Sequence, residues 1–444
     1  MNSFSRRKFL GAGAVAGVSL AAKNILLDSP LYAQSTAANN RVRFGIIGVG
    51  MQGNGLLNNS IQLPGIECSA ACDLYDGRLS LAKEIAGPDL KTTRRYQELL
   101  DDKEIDCIIA AVPDHWHKKI VVDAVSAGKD VYCEKPMSHS AADGVEMVVA
   151  TKKSGRIVQV GSQRVSSVLM TKAKELIAQD TLGDLMMVEA TLGRNTPSGA
   201  WQYPPPPDLS PQTLDWDTWI GSAPKHAFDP ILFARWRCWK EYGTGVAGDL
   251  LVHLMSGFMY MTGLNQPPDR AMSSGGILRW KDGRNMPDVL TTLFEFKGSP
   301  IYMRINLGTE TQEGYRFLGS KGIMEVNHNG VTFTSQSGVD TNLIWYAASY
   351  PKPLREQYAK QWHEANDMLL AKQAGGETVT YQGPQYDDTK PHLWNFFEAV
   401  RTRKPVVEDV VFGHHAALAC HMANESYFRK SAVYWDERSK TIKS

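Results

Sequence analysis

Three glycines at the end of a short apolar run set the tightest limit on this fold. Gly48-Val49-Gly50-Met51-Gln52-Gly53 directly follows Arg41-Val42-Arg43-Phe44-Gly45-Ile46-Ile47. The run reads as a buried strand, and the glycines turn the chain from it into a helix. Gly48 permits the tight turn, Gly50 lets a diphosphate approach the backbone, and Gly53 allows close helix–strand packing. Free amides at the helix start, around Met51 and Gln52, face that anion. A second strand, Glu67-Cys68-Ser69-Ala70-Ala71-Cys72, ends at Asp73, twenty residues past Gly53. An acid there holds both hydroxyls of a ribose and repels a 2′-phosphate, so the pattern reads as NAD in preference to NADP. Arg78 keeps NADP open, because its guanidinium can pair with such a phosphate.

The next strand, residues 105–112, is almost continuously apolar, which suits a parallel sheet covered on both faces. It runs into Pro113-Asp114-His115-Trp116-His117, with a helix expected over 118–127. Asp130-Val131-Tyr132-Cys133 then delivers Glu134-Lys135-Pro136 at the carboxyl end of a strand. Ligands bind outside those ends in open α/β sheets; a plain Glu134–Lys135 salt bridge is the competing explanation. Residues 155–161 form the expected last strand, with Gln163 and Arg164 just beyond it, able to reach a cleft between domains.

From residue 184 onward the pattern changes. Strand-like segments at 185–192, 289–296, 302–307 and 315–318 predict an antiparallel sheet facing the first domain. Between the first two lies a long excursion with four consecutive prolines, Pro204 to Pro207, which neither a central strand nor a helix accepts. Phe233-Ala234-Arg235-Trp236-Arg237-Cys238-Trp239 reads as a sugar-binding wall, a hinge or ordinary packing. In Gly248-Asp249-Leu250-Leu251-Val252-His253, the acid and the imidazole are four apart and share one face of a helix. A histidine beside core residues is most often structural, so this spacing alone leaves catalysis open. Helical patterns over 394–400 and 413–427 are expected to close the second domain.

The motifs GIIGVGMQG at 45–53, Asp73, AVPDHWH at 111–117 and CEKP at 133–136 resemble the Gfo/Idh/MocA oxidoreductase family. That resemblance implies an α/β protein: an N-terminal Rossmann dinucleotide-binding domain over 38–162 and an α+β domain with a largely antiparallel open sheet over 163–444. It implies a bound NAD beside Pro113, His117, Glu134, Lys135 and Gln163, and an Asp-x-x-x-His pair, Asp249 and His253, opposite Lys135. The implied reaction is oxidation of a secondary hydroxyl of a sugar or glycoside, with C3 the candidate carbon. His253 is then the acid/base, Lys135 stabilises the alkoxide, and Asp249 orients the histidine or holds a neighbouring hydroxyl. The NAD-dependent glycosidases of family 109 are also similar, although Gly-Asp-Leu-Leu-Val-His departs from their Tyr-x-x-His arrangement. A noncatalytic sugar-binding protein with a structural nucleotide is the third possibility. The family also implies a homo-oligomer.

Ahead of these domains, Ser5-Arg6-Arg7-Lys8-Phe9-Leu10 precedes an apolar stretch rich in Gly and Ala. This is the pattern of a twin-arginine signal peptide over 1–37, which implies the export machinery as a partner and a periplasmic destination. The stretch is short for a membrane span. Lys plus Arg is 48 and Asp plus Glu is 47, giving a net charge of +1 and no basic excess of the kind nucleic acid recruits. The 6 Cys include no CxxC pair and are expected as mostly free, buried thiols. His115 and His117 lack a convincing third ligand, so no metal site is expected.

Overall fold

Parallel pairing of buried apolar strands builds the first half of the protein. The computed structural model describes residues 41–336, 345–373, 378–383 and 388–444; the expected leader at 1–37 lies outside them. The chain alternates β1 (Val42–Ile47), α1 (Met51–Ser60), β2 (Ile66–Cys72), α2 (Asp76–Ala86), β3 (Lys91–Thr93), α3 (Tyr96–Asp101) and β4 (Cys107–Ala110). It continues through α4 (Asp114–Ser126), β5 (Asp130–Glu134), α5 (Ala141–Ser154) and β6 (Val158–Gly161). The six strands order as β3-β2-β1-β4-β5-β6, all parallel, with the chain reversing direction across the sheet between β1 and β4. Ligands bind at such a reversal. Helix α4 starts at Asp114, four residues before the expected Lys118, so the PDHWH segment forms its first turns. Helix α5 is closed at both ends as its sequence dictates: Ser140 accepts from the Asp143 amide, and Gly155 caps in the left-handed conformation at φ +65.

The second half begins with a short turn, Gln163–Ser166, then α6 (Val168–Ala178) and β7 (Leu185–Gly193). The excursion after β7 carries α7 (Trp216–Ile220) and α8 (Pro230–Ala234). A π-helical turn, Ala247–Leu251, runs directly into α9 (Val252–Thr262). Strands β8 (Arg270–Gly276), β9 (Val289–Phe296), β10 (Ser299–Asn306), β11 (Thr311–Gly319), β12 (Gly322–Asn327) and β13 (Gly330–Ser335) follow. Then come α10 (Lys352–Gln373), β14 (Thr378–Tyr381), α11 (Thr389–Thr402), α12 (Val410–Arg429), β15 (Val433–Asp436) and β16 (Thr441–Lys443). Ten strands order as β14-β13-β12-β11-β7-β10-β9-β8-β15-β16, antiparallel except for β7 with β10. Along β9 to β12 the residues alternate between buried and more exposed, the signature of a sheet covered on one face.

Two expectations need correction. Helices make most of the contact with the first domain, and the second sheet reaches it at β16 against α5. Helix α12, capped by Asp409 accepting from the Val411 and Phe412 amides, places Val410 and Ala417 in the Rossmann core, while Leu418, Ala419 and Met422 lie in the core under the second sheet. Helix α11, expected to close the second domain, instead completes the first. Its Leu393, Phe396 and Phe397 share one core with Phe44, Ile46, Ile109 and Tyr132, and the Phe44 and Phe397 rings lie 5.6 Å apart. Residues 389–409 therefore return to the nucleotide domain, so the boundary at 162 divides the chain but not the structure. All 6 cysteines are free, and only Cys68 is partly exposed.

Replacing Phe397 with Ala should cost about 3–5 kcal/mol, the usual penalty for emptying a fully buried aromatic site. Urea denaturation should show that loss, and binding titration should show weakened NAD affinity, because the cavity opens beneath β1.

Candidate functional site

The cofactor half of the site follows from the glycine turn. Gly48 has φ +89, and a Cβ there would stand 2.4 Å from the Ala111 carbonyl oxygen; a Cβ on Gly53 would stand 2.0 Å from the Gly48 oxygen. The turn thus lies directly against the end of β4, and Gly53 acts from beneath it. Helix α1 has neither a side-chain cap nor an acidic residue in its first turn, so its amides remain available to an anion. Gly50, Met51 and Gln52 line a cleft of about 390 Å³ between the two halves. A neighbouring cleft of about 260 Å³ is lined by Gly48, Asp73, Arg78, Tyr96 and Trp116. Both clefts touch Arg78 and residues Ala111 to Pro113, and together they form an elongated groove across the sheet's reversal point.

Asp73 is buried. Its Oδ2 accepts from the Val49 amide at 2.8 Å and its Oδ1 from the Tyr75 amide at 3.0 Å, so it braces the glycine turn from the end of β2. Arg78 lies 3.7 Å from Asp73 Oδ2, and its guanidinium covers the Phe233 ring at 4.7 Å. Glu134 joins three of the expected residues. Its Oε1 accepts from Gln52 Nε2 at 3.0 Å and from Gln163 Nε2 at 2.6 Å, and its Oε2 accepts from the Lys135 amide at 3.2 Å. Burial pushes the Glu134 carboxyl above its ordinary range, with Lys135 acting against that shift. Glu134 does not form the side-chain salt bridge with Lys135 that the sequence left open.

Lys135 points the other way. Its Nζ donates to Asp249 Oδ1 at 3.0 Å and to the Asp249 carbonyl at 2.9 Å, while Arg237 Nε donates to the same Oδ1 at 3.0 Å. Burial alone would raise the Asp249 carboxyl; Lys135 and Arg237 outweigh it and hold it well below the usual carboxylate range. The π turn matters here, because the wider winding replaces the simple one-face geometry expected for Asp249 and His253. Both residues line the cleft, but Asp249 is hydrogen-bonded to Lys135 and Arg237, and the buried Nδ1 of His253 has no hydrogen-bond partner. Burial, then Lys135 and Arg164, push the His253 imidazole well below its ordinary value, with Asp249 opposing. The ring is therefore neutral and able to accept a proton.

His117 lies outside the cleft. Its Nδ1 sits 2.7 Å from the Pro136 carbonyl and its Nε2 2.9 Å from the Val112 carbonyl, so the buried ring ties the ends of β4 and β5 together. Burial holds the His117 imidazole below its ordinary value, outweighing Asp114 and the two carbonyls, which favour the charge. His115 is likewise enclosed, between the carbonyls of Tyr242 and Trp219. Pro113 and Gln163 line the cleft as expected. Sequence reading missed Asp114, which accepts from the Thr244 amide at 2.9 Å and hydroxyl at 2.6 Å across the domain boundary. It also missed Gly248, where a Cβ would stand 1.7 Å from Thr244 Oγ1 and 3.0 Å from Pro136 Cγ. Only a glycine lets the π turn press against the Lys135 loop.

The excursion forms a cover over the groove. Leu214 pairs with Tyr75, the Asp215 amide donates to the Leu74 carbonyl at 3.0 Å, and Trp216 stacks on Trp219 at 5.0 Å. Trp201, Tyr203, Phe233 and Trp236 line the side facing Lys135.

Residues 42–162 match the Gfo/Idh/MocA family, described as an oxidoreductase family with an NAD-binding Rossmann fold. That similarity covers the first domain, whose Rossmann fold takes NAD as its cofactor. Inositol 2-dehydrogenase of Salmonella typhimurium is 32% identical over 149 residues, 33% of this chain and 44% of that protein. Myo-inositol 2-dehydrogenase of Thermotoga maritima is 30% identical over 142 residues, 32% of this chain and 42% of that one. The match thus spans less than half the length of these curated relatives. The fold similarity extends further. A levoglucosan dehydrogenase in complex with NADH and levoglucosan superposes with a TM-score of 0.64 at 18% identity, covering 89% of this chain and 99% of that one. An aldose–aldose oxidoreductase from Caulobacter crescentus, complexed with glycerol, gives 0.63 at 17% identity with the same coverage.

Asp249→Asn should destabilise the protein by about 3–5 kcal/mol, because it leaves Lys135 and Arg237 as uncompensated buried charges. A carboxyl held low in the folded state contributes fully above its unfolded value, near pH ~4, and loses that contribution only as pH falls further. Urea denaturation should therefore show the same gap between wild type and variant at pH 5 and pH 8.

Proposed function

We propose that this chain is an exported, NAD-dependent oxidoreductase acting on a secondary hydroxyl of a sugar or glycoside, with C3 the candidate carbon and the cofactor tightly held. The observation that carries the reading is the placement of Lys135 and a neutral His253 on one cleft beside the glycine turn. Bound NAD supplies a hydride acceptor at the carbon being oxidised. Lys135 Nζ, held by Asp249, stabilises negative charge growing on the substrate oxygen. His253 takes the hydroxyl proton as base. The aromatic cover formed by Trp201, Tyr203 and Trp236 supplies flat surfaces for a sugar ring and shields the reacting atoms from water. The cover also favours retention of NAD, which an enzyme outside the cytoplasm would have to regenerate in place.

Export by the twin-arginine route rests on the leader sequence. Homo-oligomerisation is supported by the outer face of the second sheet, where the cross-strand neighbours Met272 and Leu293 are 61% and 40% exposed. Among the described residues no helix is long and apolar enough to cross a membrane.

Lys135→Ala and His253→Ala should each lower kcat by about 10²–10⁴-fold while NAD stays bound. Because His253 is held neutral, the acid limb of kcat/KM should lie below the ordinary histidine value near pH ~6.5. A limb centred at that value would remove His253 from the role of base. Adding a sugar panel to purified holoprotein while following NADH absorbance and aglycone release separates the alternatives. Reduction of bound NAD supports the oxidoreductase, aglycone release without net reduction supports the glycosidase, and neither signal points to a binding protein.

A further inference from the structure

Among the described residues, each cation around the cleft has a protein partner, with one exception. Lys135 and Arg237 share Asp249, Arg78 faces Asp73, and Arg164 pairs with Glu313. Arg194 follows directly on the last residue of β7, its backbone amide fixed to the Asn306 carbonyl at 2.9 Å. Its side chain lines the cleft with His253, Tyr203 and Trp201, and makes no hydrogen bond or ion pair among the described residues. The acids that line the cleft with it are engaged. Asp114 is held by Thr244, Glu134 by Gln52 and Gln163, and Asp249 by two cations. The field of Arg194 reaches Glu313, but the ion pair Glu313 makes is with Arg164. The diphosphate of a dinucleotide would draw on Arg78 and the start of α1, beside Gly50.

The loop after Arg194 is rigidly built. Trp201, only 2% exposed, adopts φ +61, a conformation that a bulky side chain rarely takes outside functional sites. Arg284 Nη2 holds the Ala200 carbonyl at 2.8 Å, and Arg235 binds the Tyr203 carbonyl at 3.0 Å and Gln202 Oε1 at 2.9 Å. An aromatic wall and an uncommitted guanidinium are thus fixed together at the substrate end, where two positive charges already share one carboxylate.

We infer that the substrate carries an anionic group, a carboxylate or a phosphate, which pairs with Arg194 while the sugar ring lies against the aromatic wall. This rests on the oxidoreductase reading for the identity of the sugar, but not for the anion contact itself. The guanidinium presents paired donors to either group, and that fork geometry is what lysine lacks.

Calorimetric titration of NAD-loaded protein with a neutral aldose, the matching uronic acid and the matching phosphate ester tests it. One anionic member should bind about 10- to 100-fold more tightly than the neutral sugar. That preference should shrink at high salt, vanish in Arg194→Gln and survive in part in Arg194→Lys. Whether the acid or the ester binds best identifies the anion. Equal affinity for all three compounds overturns the inference, as does an anion preference unchanged in Arg194→Gln that still holds NAD. If Arg194→Gln fails to fold, a wild-type strength preference in Arg194→Lys also overturns it. NADH absorbance in the same samples reports on the other question: an intact anion preference with no reduction sinks the oxidoreductase reading and leaves the anion site standing.

Discussion

The site depends on one buried carboxylate. Asp249 sits between Lys135 from the nucleotide domain and Arg237 from the cover, and it holds both by charge-assisted hydrogen bonds near 3.0 Å. Burying three charges costs several kcal/mol per ion unless each is paired and hydrogen-bonded. The carboxylate meets that demand only if both domains and the cover close together. The same contact fixes Lys135 where β5 ends, and burial together with Lys135 pushes the His253 imidazole below its ordinary value. Domain geometry and chemistry are therefore set by a single electrostatic balance, with Gly248 providing the room for it.

The first domain was largely legible in the sequence because its determinants are local. A buried strand, three glycines and an acid at the next strand's end are all constraints within a few tens of residues, and the observed β1, α1, β2 and Asp73 follow them closely. Lys135 and Glu134 were also visible, since a charged pair at the carboxyl end of an apolar strand has few other uses. The partners of these residues were not visible. Lys135 meets a carboxylate 114 positions away, and Asp114 meets Thr244 across 130. Nothing in periodicity encodes such pairings. His117 shows the opposite failure: a motif histidine expected at the cofactor spends both ring nitrogens on backbone carbonyls. The α-helical spacing of Asp249 and His253 was likewise replaced by a π turn, which depends on packing against Pro136 and Thr244 and not on local propensity.

The proline-rich excursion shows how a segment with weak secondary structure can still be rigid. Its order comes from stacked rings and from side chains gripping backbone carbonyls: Trp216 on Trp219, Arg235 on Tyr203, Arg284 on Ala200. A loop built this way lies over the groove as a wall, and it contributes Arg237 to the central charge cluster as well. The aromatic wall of the cleft thus sits on a scaffold separate from the glycine turn.

Helix α11 adds a temporal dimension to this architecture. The nucleotide domain begins at residue 42, yet Phe396 and Phe397, from far along the chain, fill its core beside Phe44 and Tyr132. Contacts of such sequence separation form late, because the loop between them must first be ordered. During synthesis the six-stranded sheet is made early but stays unsealed until α11 emerges from the ribosome. A chain stopped before α11 is left with an open apolar floor under β1.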